Sequence, residues 1–283
     1  MAMEGLEPVA DVSAGDWLAA ALPRPNGAVS GVVPGSFPAY ARVLHPVERH
    51  DGGPDTTWAQ VCQATGRVAH PLMQWLSIIT RADGSEWTDG DVRPGALAPP
   101  ALAALLDVLA PYAGDQVCWH ALWEGWGWVG GGGVAVMSVV ERDDDIPGPR
   151  GIVRYQESTA DWDEDAVPAL APPFVPTDPG VPREVWDLPR LRLPDRDYLL
   201  YRGPLRAALA MGHDFAGAFE PQSPSLLWPA DHAWCVGTEI DFDSTLVAGP
   251  PELIAAVLAA PTLEAYPVRA TDDLSLTGDR INT

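Results

Sequence analysis

Apolar residues recur at helical spacing most clearly in "PPALAALLDVLAPYAG". There Leu102, Leu105, Leu106 and Leu109 fall on one face, behind two prolines suited to a first helical turn. The spacing returns in "PPELIAAVLAAP", where Leu253, Ile254, Val257 and Leu258 share a face and Pro261 marks the stop. Shorter helices are predicted at 14–22, 57–65, 71–80 and 204–211. Strand-like runs alternate with these at 39–46, 117–124, 134–141, 197–203 and 233–242. In the last run Trp234, Val236, Thr238 and Ile240 take one face, and Cys235, Gly237 and Glu239 the other. Each amphipathic helix needs a sheet or another helix to cover its stripe. The expected fold is therefore α+β, a mixed or antiparallel sheet with packed helices.

The pattern fails between 143 and 194, where ten of the chain's 30 prolines sit among acids with no sustained period. This segment reads as a long loop or ordered-coil insertion. We expect one domain built from 1–142 and 195–283, because the strands on either side are few and the part after the insertion alone would make a small core. A linker between two domains is the alternative. No internal repeat appears at the periods of roughly 20 to 50 residues that announce solenoids.

At 283 residues and 47% hydrophobic content, the chain can bury a sizeable core. All 17 of its basic residues are Arg, and no Lys occurs. A Schiff base, a P-loop lysine and a Ser-Lys dyad are thereby excluded for this chain. The formal charge of -22 repels phosphate backbones and anionic lipids, so no nucleic acid and no membrane is expected as partner. Arg190, Arg192 and Arg196 form the densest basic cluster, and acids interrupt it. A basic protein is the better electrostatic match, with solubility alone as the plainer use of the charge.

The three cysteines, Cys62, Cys118 and Cys235, lie far apart with no CxxC, and the N-terminal stretch shows no basic region followed by an apolar run. Reduced thiols in a cytoplasm are expected. No stretch approaches the roughly 18 consecutive apolar residues that suggest a membrane span.

"IDFDSTLV" has the form of the haloacid-dehalogenase phosphatase motif, in which a first Asp attacks phosphorus and a second serves as acid and base. The context departs from that family. Its motif opens a long α/β stretch that carries a lysine, whereas 40 residues follow Asp243 and the chain has no Lys. If the strand continued straight, Glu239, Asp241 and Asp243 would share one face with neighbours about 7 Å apart. Such a row either holds a divalent cation, given further oxygens from a loop, or forms a solvated face. It exists only if the chain does not turn at Asp241 or Phe242.

His232 and Cys235 suggest a Cys-His pair, but on an extended chain they point to opposite faces. The remaining histidines, His45, His50, His70, His120 and His213, show no HExxH spacing. "CWHALWEGWGWVGGGG" holds Trp119 and Trp123 on one strand face, then Trp126 and Trp128 after a glycine. These are either core aromatics or a platform for a sugar or a partner's side chain. The glycine run reads as a hairpin loop. Arg202, at the end of "RDYLLYRG", either grips an anion or pairs with one of the chain's own acids.

The segments "FPAYARVLHP", "CWHALWEGWG", "RDYLLYRGPL" and "SPSLLWPADHAWCVGTEIDFDSTLVAG" together resemble a family of hypothetical proteins from high-GC bacteria. The Trp-Pro-Ala-Asp-His-Ala-Trp-Cys run is the most specific part. The resemblance implies a cytosolic protein and assigns no activity and no catalytic residue. The sequence thus leads to a non-catalytic acidic interaction protein, immunity-like, with a basic protein as partner. The alternative is a metal-assisted hydrolase using Glu239, Asp241 and Asp243 with His232 as base. A third reading is a small-ligand binder with a pocket between the Trp119 region and the final strands. No cofactor is expected beyond that divalent cation.

Overall fold

The computed structural model describes residues 3–130, 180–215 and 217–283. They fall in two compact units: Met1–Trp123 together with Leu188–Thr283, and Glu124–Asp187. The expected strand at 134–141 and most of the proline-rich segment lie outside the described residues. That segment's boundaries shift in both directions. Residues 188–194 belong to the first unit because Leu191 and Leu193 are buried in a strand paired with its neighbour, and the second unit already begins at Glu124.

In chain order the first half of unit one holds β1 (Glu7–Pro8), α1 (Asp16–Ala21), β2 (Ala39–Leu44), β3 (Val47–Arg49), α2 (Trp58–Thr65), α3 (Trp75–Ile79), β4 (Gly90–Val92), α4 (Pro99–Ala113) and β5 (Cys118–Trp123). The second unit carries α5 (Arg183–Trp186). Then follow β6 (Leu191–Leu193), β7 (Arg196–Gly203), β8 (Gly212–Phe215), β9 (Ala218–Pro221), β10 (Leu226–Pro229), β11 (Cys235–Gly237), β12 (Ser244–Gly249), α6 (Pro251–Ala259) and β13 (Ala265–Val268). The fold is α+β. Its sheet runs β1-β7-β5-β10-β11-β12-β2-β13, with β6 added beside β7, and every pairing is antiparallel.

Both faces of this sheet are covered. On one, Leu102, Leu105, Leu106 and Leu109 of α4 and Leu253, Ile254 and Val257 of α6 pack on Ala41, Val43, Leu227, Val236 and Val247. The predicted stripes are thus the ones the core uses. The other face takes Leu18 and Leu22 from α1 and its end, with Val29, Val32 and Val33, against Tyr40, Ala121, Leu200, Trp228 and Leu246. Gly237 lets the chain cross here, since a Cβ on it would come within 2.9 Å of Val33 Cγ1 and 3.0 Å of the Val32 carbonyl. A smaller cluster joins Val47, Trp58, Val61, Met73, Trp75, Ile78 and Trp87 under α2 and α3. Thr57 opens α2 with a capping box closed by Gln60.

The expected 233–242 strand is one short strand followed by a turn. β11 ends at Gly237, a turn follows in which the Phe242 N–H bonds the Glu239 carbonyl at 3.0 Å, and β12 returns beside β11. Burial of β12 is complete along its length, so its sequence lacks the alternation that marks a half-buried strand. β10 was also hidden: its four residues are flanked and ended by prolines, yet it pairs with β5 on one side and β11 on the other.

Candidate functional site

The turn after β11 decides the fate of the three carboxylates. Because the chain reverses between Glu239 and Phe242, the straight row expected from alternation does not form. Glu239 instead accepts from Arg196 Nη2 at 2.7 Å, and Asp241 lies 3.6 Å from the same nitrogen. Asp243 faces elsewhere, accepting from Arg42 Nη2 at 3.0 Å. Among the described residues no group of three His, Cys, Asp or Glu side chains converges as metal ligands do. His232 does not join the carboxylates as a base. It sits in a left-handed turn at φ 57° with its ring stacked on Trp17, centroids 4.5 Å apart, and burial lowers its pKa against the pull of Asp231.

Arg42 anchors a network that sequence reasoning did not find. Its side chain is 1% exposed. Nε donates to Ser244 Oγ at 2.9 Å, Nη1 to the carbonyls of Pro71 and Met73 at 3.1 and 2.8 Å, and Nη2 to Asp243. Its guanidinium lies 5.6 Å from the Trp58 ring centroid. Burial pushes the Asp243 carboxyl up, and the Arg42 charge opposes that. Nearby, His45 bridges the Arg93 carbonyl at 2.6 Å and Thr245 Oγ1 at 3.0 Å, and Thr245 reaches Thr238 at 2.8 Å. Such fully bonded buried polar groups fix one packing arrangement.

Beside the Arg196 corner lies a cavity of about 20 Å³ lined by Tyr198, Ser225, Thr238 and Glu239. That is room for about one water, far below the roughly 300 Å³ at which small-molecule sites begin. Trp123 stacks over Arg196, 5.7 Å from its guanidinium carbon to the ring centroid. Trp119 and Trp123 share a face of β5, half-buried against the α1 side of the core. Trp126 and Trp128 belong to the second unit. Arg202 is held by Glu7 through two hydrogen bonds of 2.9 Å, so the chain's own acid takes this guanidinium.

All three thiols are buried: burial pushes Cys62 and Cys118 up to about 11, and Cys235 higher still. Their thiolates are not available near neutral pH. His45 and His120, 1% and 0% exposed, are both pushed down to about 4 by burial, so each ring is neutral in the folded chain.

A groove of about 770 Å³ lies between α4 and α6. Alanines at 103, 104, 256 and 259 line it. Leu44, Thr56, Val108 and Leu263 also line it. Every ionisable side chain lining it is a carboxylate: Asp55, Asp107 and Glu264. Asp107 pairs with Arg206. Glu264 caps α2, accepting from the N–H groups of Trp58 and Ala59 at 2.6 and 2.8 Å, and partial burial raises its pKa against those bonds. Ala-rich helix flanks give no motif, which is why sequence reading passed over this groove.

No helix among the described residues is long and apolar enough to cross a membrane. Comparison with protein-family models, curated proteins and solved structures finds no match to this chain, so the resemblance carried by the Trp-Pro-Ala-Asp-His-Ala-Trp-Cys run rests on the sequence alone.

Proposed function

We propose that this is an acidic, non-catalytic interaction protein of the cytoplasm that binds a basic protein partner, in the manner of an immunity protein. The observation that carries this reading is where the charge goes. Arg42, Arg49, Arg183, Arg196, Arg202 and Arg206 each pair with a carboxylate of the same chain, so much of the scarce positive charge is neutralised internally. The excess of 39 acids over 17 arginines is left to shape the surface field. Among the described residues the three thiols, His45 and His120 are buried, and Glu239, Asp241 and Asp243 are spread over two arginines.

Affinity capture of the tagged chain from its native cytosol, followed by mass spectrometry, tests the reading. A single basic protein retained at low salt and shed as ionic strength rises is the expected result. Retention of no specific partner at either salt would sink it.

A further inference from the structure

We infer that the groove between α4 and α6 is the seat for the partner, and that it receives a cationic segment. The segment places aliphatic side chains between the helices and an arginine or lysine at the Asp55 and Glu264 end. This rests on the interaction reading above and names its site.

Three observations converge on this occupant. The groove's volume of about 770 Å³ lies in the range of roughly 300 to 1,000 Å³ typical of occupied sites. Its helix walls are mostly alanine, with Pro100, Asp107 and Val108 beside them, so a guest's aliphatic side chains meet small apolar groups and bury apolar area against them. Its ionisable lining is three carboxylates, of which Asp107 is paired with Arg206, so Asp55 and Glu264 carry the groove's charge. Asp55 is exposed and makes no ion pair among the described residues. Glu264 is half-buried and held by backbone N–H groups, which stabilise the carboxylate without cancelling its charge. A guest cation reaching these two groups would gain charge-assisted hydrogen bonds in a partly desolvated setting. An anionic or wholly apolar segment would leave them uncompensated, which is how the groove would select its partner's chemistry.

The test uses the full isotope-labelled chain and a synthetic amphipathic peptide of leucine and arginine as probe, with a glycine-arginine peptide of equal charge as control. The expected result is saturable binding of the leucine-arginine peptide, with amide shifts concentrated at Ala103, Ala104, Ala256 and Ala259. Ala259→Trp, at an exposed position, should fill the groove and weaken binding at least about tenfold, the equivalent of 1.4 kcal/mol. Ala104→Leu serves as a second filling variant should the first disturb folding. Asp55→Asn combined with Glu264→Gln should weaken the same peptide about fivefold or more. Shifts scattered over the acidic surface, equal binding of the control peptide, or unchanged affinity in the filled variants would overturn the groove. Cytosolic capture separates the two levels. A basic partner retained equally by the parent chain and by Ala259→Trp refutes the groove and leaves the interaction reading intact, whereas an empty capture by the parent refutes the interaction reading itself.

Discussion

Arg42 shows what a single buried charge asks of its surroundings. Taking a guanidinium out of water costs several kcal/mol unless its donors are met. Here they are met by Ser244, Asp243 and two carbonyls contributed by the chain before α3. Arg42→Met should therefore destabilise the fold by about 3 to 5 kcal/mol, leaving the partly buried Asp243 without its cation. Adding Asp243→Asn should recover part of the loss. Urea denaturation of the single and double variants measures both. The two buried histidines give a second expectation. Each has its pKa lowered on folding, from 6.5 to about 4, so the unfolded chain binds more protons across that window. Their contribution is complete above pH 6.5 and is lost as pH falls toward 4, about 3 kcal/mol for each ring at 1.36 kcal/mol per pH unit. Unfolding free energy followed from pH 7 to 4 should fall accordingly, and His120→Leu should make the fall shallower. Sequence alone could list these residues but not pair them. Arg42 and Asp243 are some 200 positions apart, and only the β2-β12 register brings them together.

The amphipathic stripes of α4 and α6 were plain in the sequence because each helix buries one face and leaves the other wet. Leu105→Ala, at a fully buried position of α4, should cost about 2 to 5 kcal/mol by thermal or chemical unfolding. A cost below 1 kcal/mol would mean that α4 is not part of the core. Strands were legible where turn residues set their ends apart and illegible where no such marker separates one strand from the next. β2 and β5 fell within the expected runs and β7 began one residue before its own, whereas β12 lay outside them. The same limit governs the carboxylate row. Alternation through "CVGTEIDFD" has no marker for the turn that the Glu239 carbonyl closes, so an apparent line of ligands became two separate arginine pairs.

For the molecule as a whole, charge was the most readable property and its placement the least. Composition states an excess of 22 negative charges but not where they are compensated. The groove is hidden for the opposite reason, since alanine on a helix flank is the commonest of residues and becomes a feature only when a second helix faces it. A basic partner drawn in by this field should associate rapidly and release counterions, so its affinity should depend strongly on salt. The measurement that tests the account most directly is the dissociation constant between the full chain and the basic protein it captures, followed by calorimetry over a series of salt concentrations. An affinity that falls steeply as salt rises is the expected result. An affinity indifferent to salt, or a cytosol that yields no basic partner to titrate, would contradict it.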